Sequence, residues 1–530
     1  MAHQNTPMES PRPGEFPPPS PGPRARGAPA GWDYDAVVVG TGAGGGTAGY
    51  ALARAGRRVL FVERGGVLAS TPATRDDVAM LVERRASYPE PLHSREGSAR
   101  PLVGGVLGGG SSRYGAALLR AAPVDFTPGR FFADHLPRDQ WEWPLDYADL
   151  APYYTRAETL FRVCGDGDAF PLKATGDPAG YVAPPMPWQG AAGRLALQLE
   201  ARGLAPFRLP LALDPATCLG CARCPGYSCP NQSRFGAADR CVAPAVAHFG
   251  AALWLKTELV GVERRGRSVE AVTLKGPDGR SHRVTTRVLV VAAGALNTPD
   301  LLGRLGLVTP DHPALGRHFM LHLGVLFAVV LPRAQDLHAE PHKQIGLADW
   351  YQVADQKLGY VQQLPPPPPR ALVREVPGLA KVLPPKWIDP LYQRLLMLVG
   401  SIDDVPQGRN RVYRDSRGLH LDHRYHRDDF RRAALLKRQV LKALPRGRDC
   451  WVLAHVPKRT SLRLAHQVGT CRFGRNPATS VVNPECRLHA VDNAFVVDTS
   501  VLPSSLGVGP ALTTIANALR VADILHRDYL

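Results

Sequence analysis

The sequence predicts an α/β fold in which a Rossmann-like nucleotide-binding domain is combined with a second, α+β domain built on an antiparallel sheet. Three observations lead to this prediction. A strand–helix–strand pattern begins near residue 35 and contains a glycine-rich turn. A further buried-strand pattern ends in a tight turn near residue 294. Between residues 306 and 455 alternating apolar stretches are broken by a proline run and by charged segments, which is typical of an antiparallel sheet with covering helices.

The first of these units has the features of a dinucleotide-binding βαβ motif. Residues 35–39 and 58–62 form buried-strand patterns, and residues 47–55 between them form a helix of small side chains. The turn that joins strand to helix fits the spacing G-x-G-x-x-G, with glycines at Gly40, Gly42 and Gly45. In such a turn the first glycine permits the tight bend, the second lets the backbone approach a pyrophosphate, and the third lets the helix pack on the strand.

Glu63 ends the second strand, 23 residues after Gly40. In a dinucleotide-binding fold a carboxylate at this place accepts hydrogen bonds from the ribose hydroxyls. It also disfavours a ribose 2′-phosphate, so we do not expect NADP. The unit as a whole predicts a bound dinucleotide, but it does not distinguish FAD from NAD.

Further segments complete this first part of the chain. Residues 1–31 contain nine prolines and almost no aliphatic side chains, so we expect a disordered tail there. The remaining elements predicted up to residue 305 are a turn entering a helix over residues 143–154, strands over residues 253–262 and 269–274, and a buried strand over residues 287–294.

The second domain is expected over residues 306–455. Within it we expect the proline run at residues 365–369 to form a stiff, extended linker at the edge of the domain. We expect the charged stretch at residues 427–432 to form a turn between apolar elements.

The composition excludes several classes of protein. Of the 530 residues, 44% are hydrophobic and 21% are charged, which argues against a wholly disordered or coiled-coil chain. The longest apolar run has nine residues, far fewer than the ~20 that a transmembrane helix needs. The net charge of +17 comes from arginines scattered along the chain, whereas a nucleic-acid surface is a clustered basic stripe, so we do not expect nucleic-acid binding.

Longer motifs, in a fixed order along the chain, resemble those of the glucose-methanol-choline (GMC) oxidoreductases, a family that binds FAD. Residues 108–112, GGGSS, are similar to the family's Gly-Gly-Ser-Ser segment, which lies against the flavin and the pyrophosphate. Residues 290–299 resemble its Ala-Ala-Gly-x-x-x-(Ser/Thr)-Pro element. The most specific motifs are C-terminal: HQVGTCRFG at residues 466–474, FVVDTS at residues 495–500 and GVGPALT at residues 507–513.

The resemblance implies a discontinuous FAD-binding domain. Residues 456–530 would complete the part formed by residues 32–305, and residues 306–455 would form the substrate-binding domain. The resemblance also implies which residues bind the cofactor. They are Gly40, Gly42, Gly45, Glu63, Gly109, Ser111, Ser112, Val260, Asp498 and Pro510.

His466 is the residue that the resemblance implies as the catalytic base. Oxidation of an alcohol needs a group that takes the hydroxyl proton while hydride leaves for flavin N5, and a histidine, with an ordinary pKa of ~6.5, exchanges protons near neutral pH. Where the family carries Asn or His beside the base, this sequence has Gly509, which offers no side-chain hydrogen bond. Three outcomes stay open: another side chain fills that role, His466 acts alone, or the protein is a weak catalyst. We expect other histidines, including His322, to be packed or surface groups.

Four of the nine cysteines lie in one loop with the spacing Cys-x₂-Cys-x₂-Cys-x₄-Cys. They are Cys218, Cys221, Cys224 and Cys229. The spacing resembles that of a ferredoxin ligand run, which has three residues before the last cysteine. It is compatible with an iron–sulfur cluster, with zinc, and with structural thiols or disulfides. An iron–sulfur cluster here would pass electrons from flavin to an external acceptor.

The predicted function is FAD-dependent oxidation of a CH–OH group in an alcohol, sugar or sterol-like donor, by hydride transfer to flavin N5 with His466 as base, in a dehydrogenase. The expected partners are this small-molecule alcohol and a redox partner or small subunit. Two alternatives stay open: a non-oxidising, lyase-like FAD protein, and a flavin electron-transfer subunit of a complex. The sequence shows no secretory signal, so we expect a cytoplasmic protein, with export beside a signal-bearing partner left open.

Overall fold

The computed structural model describes residues 32–530 except for residues 102, 168–169, 175, 222, 336–342, 372–383, 446–449 and 458–464. The predicted N-terminal tail, residues 1–31, lies outside the described residues. Within the described part of the chain, no helix combines the length and the apolar character needed to cross a membrane.

The described strands are β1 (Tyr34–Val39), β2 (Val59–Glu63), β3 (Leu92–Ser94), β4 (Gly97–Ala99), β5 (Val163–Cys164), β6 (Phe207–Arg208), β7 (Leu211–Ala212), β8 (Ala252–Leu255), β9 (Glu258–Arg265), β10 (Ser268–Lys275), β11 (Ser281–Val291), β12 (His322–Val330), β13 (Ile345–Leu347), β14 (Gln352–Val353), β15 (Gln356–Lys357), β16 (Tyr360–Leu364), β17 (Leu395–Asp403), β18 (Arg411–Asp415), β19 (Gly418–Asp422), β20 (Trp451–His455) and β21 (Ala494–Val496). The described α-helices are α1 (Ala43–Arg54), α2 (Gly129–Phe132), α3 (Tyr147–Leu160), α4 (Gly190–Glu200), α5 (Ala243–Phe249), α6 (Asn297–Arg304), α7 (Pro385–Tyr392), α8 (Arg427–Ala443) and α9 (Ala511–Asp528). Short 3₁₀ or π turns occur at Ala73–Arg75, Val78–Val82, Gly109–Ser112, Pro123–Phe126, Ala133–His135, Arg138–Gln140, Ala238–Val242 and Thr499–Val501.

The first sheet is a Rossmann-like layer. β1 lies between β2 and β11, and the three strands run parallel. β8 continues the sheet beside β2, and β10 and β9 extend it in antiparallel fashion from β11. β21, from the C-terminal part of the chain, pairs in parallel with β11. Strands that lie far apart in the chain therefore share one sheet, which confirms the predicted α/β class and its discontinuous nucleotide-binding domain.

β2 and the last four residues of β1 and of β11 are buried and almost entirely apolar because helices cover this part of the sheet. α1 packs against β2 and α9. A Cβ at Gly49 would lie 2.2 Å from the ring of Phe61, so a residue without a side chain lets α1 approach β2 this closely. α1 begins at Ala43, four residues before the predicted start, because this packing overrides the low helix propensity of the glycines at residues 44–46.

The second sheet has the order β20-β12-β17-β16-β13-β6 and is antiparallel throughout. One of its faces is covered by α4 and α8. The buried side chains that form this core alternate along the strands, as a half-covered sheet requires. They include Leu195 and Leu199 of α4, Val325 and Phe327 of β12, Leu396 and Leu398 of β17, and Ala433, Leu436 and Val440 of α8.

The chain enters this second layer earlier than the predicted boundary at residue 306. α4 packs into its core and β6 forms its last strand, although both precede that boundary. The predicted division between residues 305 and 306 therefore needs correction, because the strand pairing of Phe207 with Gly346 joins two segments that are remote in sequence.

Two local predictions are wrong. Residues 427–432 begin α8 instead of forming a turn, because His426 caps the helix by accepting from the Asp428 N–H over 3.3 Å and the apolar side chains recur at helical spacing. The strand predicted over residues 253–262 is two strands, β8 and β9, which are separated by Lys256 with a φ of +51°.

Candidate active site

The glycine turn between β1 and α1 combines close packing with one open position. Gly40 has a φ of +96°, and a Cβ there would lie 2.3 Å from the carbonyl oxygen of Ala292, so only glycine fits. A Cβ at Gly45 would lie 2.1 Å from the carbonyl oxygen of Gly40. At Gly42, by contrast, no atom of the described chain beyond its own neighbours lies within 4 Å of the Cβ position. The first N–H groups of α1 therefore adjoin a space that suits an anionic pyrophosphate.

Glu63 is held at the end of β2 beside this turn. Its Oε2 accepts from the Thr41 N–H over 3.2 Å and from the Thr41 hydroxyl over 2.6 Å, and its Oε1 accepts from the Gly65 N–H over 2.8 Å. Burial raises the pKa of Glu63, and these hydrogen bonds oppose that rise. Oε1 retains one acceptor position, so the carboxylate can still bind a ribose hydroxyl.

The segment over residues 108–112 lies directly against the first glycine turn. The Gly108 N–H donates to the Thr41 hydroxyl over 3.0 Å, and a Cβ at Gly109 would lie 3.0 Å from the Cα of Gly42. The Ser111 hydroxyl donates to the Gly108 carbonyl over 2.6 Å, and the Ser112 hydroxyl donates to the Leu107 carbonyl over 2.5 Å. Both hydroxyls therefore hold the backbone of this segment in place.

Asp498 joins the end of β21 to the turn that follows β11. Its Oδ2 accepts from the Gly294 N–H over 2.8 Å and from the Thr298 hydroxyl over 2.5 Å, and its Oδ1 accepts from the Ser500 N–H over 2.8 Å. Pro510 immediately precedes α9, and its carbonyl oxygen accepts from the Thr514 hydroxyl over 2.9 Å. The two C-terminal residues of the implied FAD set thus fix backbone segments at the carboxyl edge of the first sheet.

Val260 lies on β9 with its side chain 39% exposed. Just before β9, Thr257 contacts the end of β2, because its N–H donates to the Glu63 carbonyl over 3.0 Å. Thr257 is therefore better placed than Val260 beside the nucleotide end of β2, and a cofactor contact by Val260 stays a prediction.

Two histidines form a pair where the second sheet meets the C-terminal motif. His466 lies shortly after residues 458–464, which are outside the described part of the chain, and its φ is +61°. His322 is the first residue of β12. Their Nδ1 atoms are 2.7 Å apart. The Nε2 of His322 lies 3.0 Å from the Ser505 carbonyl oxygen and 3.1 Å from the Leu506 carbonyl oxygen. His322 is thus buried, as one of the expected alternatives had it, but it also contacts the predicted base.

These contacts determine where the protons lie. A carbonyl oxygen only accepts, so the Nε2 of His322 must carry the hydrogen that binds Ser505 and Leu506. Neutral His322 then offers a lone pair at Nδ1, and His466 must donate to it from its own Nδ1. The Nε2 of His466 is left unprotonated. Burial lowers the pKa of His322, and burial together with His322 and Lys343 holds the pKa of His466 well below its ordinary value, so both rings are neutral at pH 7.

Gly509 lies beside the unprotonated nitrogen. A Cβ at this position would be 3.2 Å from the Nε2 of His466 and 3.4 Å from its Cε1. The structure thus brings together the two residues that the C-terminal motifs singled out. Since glycine has no side chain, the space next to the predicted base is left for another molecule.

A buried ion cluster holds the loop that contains Gly509. Lys357 pairs with Asp125 and, over 3.0 Å, with Asp403, and these side chains are at most 2% exposed. Asp125 also accepts from the Gly507 N–H over 3.1 Å and from the Tyr351 hydroxyl over 2.5 Å. This cluster was not predicted from the sequence, because its members come from separate segments and form no local motif.

Lys343 is a second residue that sequence reasoning missed. It is 9% exposed, and its Nζ donates to the Gly115 carbonyl over 3.0 Å. Burial lowers the pKa of Lys343 to about 8. Its charge contributes to the lowering of the pKa of His466.

Lys343 also borders a cavity of about 50 Å³ that the loop cysteines surround. Its lining includes Cys218, Cys221, Cys224, Cys229, Arg234 and Pro365. The four loop cysteines are present as thiols without a disulfide, and burial raises the pKa of Cys224 to about 11. In the described part of the chain no three of the loop thiols lie within 4.8 Å of one another, so they do not surround a single metal ion here.

Two segments of the chain match family models of the GMC oxidoreductases. The model of the GMC oxidoreductase N-terminal region matches residues 203–324, and the model of the C-terminal region matches residues 406–518. The chain is 30% identical to 6'''-hydroxyparomomycin C oxidase of Streptomyces lividus over 93% of its own length and 90% of the relative's. It is 30% identical to paromamine 6'-oxidase of Streptomyces fradiae, over 81% and 80% of the two chains.

Solved structures with a similar fold share much less sequence. The crystal structure of pyridoxine 4-oxidase from Mesorbium loti matches with a TM-score of 0.64 and 20% identity, over 94% of this chain and 100% of the other. A formate oxidase structure matches with a TM-score of 0.62 and 15% identity, over 94% and 99% of the two chains. These likenesses extend over nearly the whole chain and support the described fold.

Replacing Gly509 by alanine tests whether the donor uses the space beside the base. The added Cβ lies 3.2 Å from the Nε2 of His466, and crowding of this kind costs about 1–3 kcal/mol. We expect kcat/KM for donor oxidation to fall about tenfold, with unchanged flavin content and unfolding temperature. Gly303→Ala is the matched control, because its Cβ would make only an ordinary contact of 3.6 Å. An unchanged kcat/KM in Gly509→Ala would contradict the assignment.

Replacing His322 tests whether it positions the base. In His322→Leu the Nδ1–H of His466 loses its acceptor, and an unpaired buried donor costs about 1–3 kcal/mol, so kcat/KM should fall about tenfold to a hundredfold. His322→Asn, whose amide can accept from His466 and donate to Ser505, should retain more activity.

The pH profile separates positioning from a structural role of His322. In the wild type we expect the acid limb of kcat/KM well below pH 6.5, because the pKa of His466 is lowered. His322→Leu removes one of the neighbours that lower the pKa of His466, so the acid limb of kcat/KM should move to higher pH. His282→Leu, at an exposed position, is the control. An acid limb that stays in place in His322→Leu would refute the role.

Proposed function

The chain belongs to the GMC oxidoreductase family, and from that premise we propose that it oxidises a CH–OH group of a small-molecule donor, with FAD as hydride acceptor. The observation that carries the proposal is the Nε2 of His466, which the contacts of His322 leave unprotonated and which adjoins the space at Gly509. An alcohol hydroxyl in that space would donate its proton to Nε2.

The residues at the carboxyl edge of the first sheet fit a dinucleotide. The two glycine turns touch each other and leave Gly42 open, which forms a backbone cradle for a pyrophosphate. Glu63 ends the strand beside this cradle and retains an acceptor for a ribose hydroxyl. The residues to which we assign FAD binding are Gly40, Gly42, Gly45, Glu63 and Gly109, with Ser111, Ser112, Asp498 and Pro510 holding their segments. Bound FAD supplies the atom that takes up the hydride.

The protein's own groups manage the proton. His466 receives it at Nε2, and His322 keeps the ring in the required tautomer by accepting from its Nδ1. Lys343 is mostly charged at pH 7, since burial lowers its pKa only to about 8. A positive charge near the alcohol oxygen favours loss of the hydroxyl proton. His466 is thus the proposed base, and Lys343 is a proposed electrostatic contributor.

Of the outcomes that Gly509 leaves open, we favour the one in which His466 acts without a side-chain partner at that position. The space beside Nε2 is then filled by the donor itself. The lyase-like and electron-transfer alternatives receive no support from a specific contact, and the experiment below distinguishes them from oxidation.

The loop cysteines matter for the question of which molecule takes up the electrons from the flavin. An iron–sulfur cluster separates its ligands by its own width, so the spread of Cys218, Cys221, Cys224 and Cys229 around one cavity is compatible with a cluster although not with a single ion. Burial raises the pKa of Cys224, and the charge of Arg234, which borders the same cavity, opposes that rise. A cluster that leads to a redox partner would make the enzyme a dehydrogenase.

Anaerobic reduction of the purified flavoprotein by a panel of alcohols, sugars and sterols tests the proposed oxidation. We expect at least one donor to bleach the flavin, and His466→Gln to slow that step about 10²–10⁴-fold with unchanged flavin content. His282→Gln, at an exposed position, should behave as the wild type. Bleaching by no donor would favour the lyase-like alternative, and catalysis found only in a tightly bound second subunit would favour the electron-transfer alternative.

Metal analysis of anaerobically purified protein tests the cluster. We expect iron and acid-labile sulfide in comparable amounts, both lost in Cys221→Ser, with absorbance near 400 nm. Cys450→Ser, a partly buried cysteine outside the loop, is the control and should retain both. Protein that contains FAD but neither iron nor sulfide would remove the cluster from the proposal and leave the oxidation untouched.

A further inference from the structure

One face of the second sheet starts at the base and leads to the protein surface. In antiparallel pairs, directly opposed residues point to the same face, and alternate residues along a strand share it. His322 is the first residue of β12 and contacts His466, so every second residue after it lies on the same face. The opposite face forms the core with α4 and α8. We call the face that carries His322 the open sheet face.

Beyond Gly324 and its partner Ser401, the open sheet face is mostly apolar. The strand register places three rows of side chains across β12, β17 and β20. The rows are Leu326 with Val399 and His455, Ala328 with Met397 and Leu453, and Val330 with Leu395 and Trp451. Counted along β12 from His322 to Val330, the face is about 27 Å long at ~3.4 Å per residue.

The far end of this face is exposed. The side chain of Trp451 is 73% exposed and that of Leu453 is 65% exposed, while the β12 and β17 residues of the rows are partly exposed. A contiguous apolar surface of this kind marks a place where another molecule binds. Its continuity with His466 identifies the molecule as the one on which the base acts.

A buried polar atom on the same face lacks a partner. Gln362 pairs with Val399 in the sheet register, is 6% exposed, and its Oε1 accepts no hydrogen bond from the described residues. An unpaired buried acceptor costs free energy that a ligand hydroxyl or N–H would recover. A second polar group on an otherwise apolar ligand would therefore bind here.

The charges near the base favour an uncharged ligand. Of the two neighbours that, with burial, lower the pKa of His466, His322 is neutral at pH 7 and Lys343 is mostly positively charged. The whole chain carries a net charge of +17. A donor with several amines would be repelled by this field, whereas a neutral one is not.

We propose that the donor is a neutral alcohol on an extended apolar body, which lies along the open sheet face with its hydroxyl at His466 and its far end near Trp451. The proposal rests on the proposed function and specifies its substrate class. In the reaction the O–H proton goes to the Nε2 of His466, the C–H hydride goes to FAD, and the donor becomes a carbonyl compound.

The first test is the chain-length dependence of anaerobic flavin reduction by straight-chain primary alcohols from butanol to hexadecanol. Burial of ~0.8 kcal/mol per methylene predicts a rise in kcat/KM of up to about fourfold for each added carbon that reaches the face. Reduction by sugars or short polyols with no rise along the series would overturn the proposal and leave the proposed function standing. Reduction by no donor at all would overturn both.

Variants at the exposed end sharpen the test. Leu453→Asp places a charge on the face at a position whose exposure spares the fold. We expect it to abolish the advantage of long chains, so that kcat/KM no longer rises from butanol to hexadecanol. Leu197→Asp is the matched control, because Leu197 is 62% exposed on α4, on the other side of the sheet, and should keep the full advantage. Equal loss in both variants would overturn the proposal.

A binding measurement independent of turnover uses Trp451. Dodecanol should shift tryptophan emission to shorter wavelength in the wild type, and the shift should vanish in Trp451→Phe and persist in Trp387→Phe, which removes another exposed tryptophan. Absence of the shift in the wild type would overturn the proposal. A shift with phosphatidylcholine vesicles but not with dodecanol would assign the face to a membrane and overturn it as well.

Discussion

The ion cluster of Lys357 with Asp125 and Asp403 is the constraint on which the geometry around the proposed base, His466, depends. Asp125 holds the backbone of Gly507, and the loop before it presents the two carbonyl oxygens that fix the proton on the histidine of β12. That histidine in turn fixes the proton on His466. Removal of one partner from a buried ion pair costs about 3–5 kcal/mol, so the arrangement is strongly held. The protonation state of the His466 Nε2 therefore depends on the ion cluster, which acts through Gly507 and His322.

The sequence predicts those parts of the protein that local chemistry determines. The βαβ unit, its glycine turn and Glu63 lie within 30 residues, and His466 and Gly509 belong to motifs that a single segment carries. The contact of His322 with the base joins residues 144 positions apart, and no periodicity or spacing reports such a pairing. The same reason explains the missed ion cluster and the early entry of α4 and β6 into the second sheet. The error at the start of α8 has a different cause. The charged residues there suggested a turn, but the apolar residues at helical spacing were enough to form a helix.

Glycines serve two opposite purposes in this protein. At Gly40 and Gly45 the backbone of another segment occupies the place of a side chain, so the residue permits close packing. At Gly42 and Gly509 the place is open or adjoins a reactive nitrogen, so the residue leaves room for a ligand. A sequence motif does not show which of these two purposes a glycine serves. The distance from a hypothetical Cβ to the neighbouring atoms does show it. The same distinction divides the second sheet, whose one face is filled by helices and whose other face is not.

The pairing of β21 with β11 has a consequence for how the chain is made. Roughly 200 residues separate Leu289 from Ala494, its partner in the register. At a synthesis rate of ~5–20 residues per second, the edge of β11 waits about 10–40 s on the ribosome before the strand that covers it emerges. Until then an apolar strand edge is available to neighbouring nascent chains, and such edges promote aggregation. Expression at reduced temperature or with abundant chaperones should accordingly improve the yield of native enzyme.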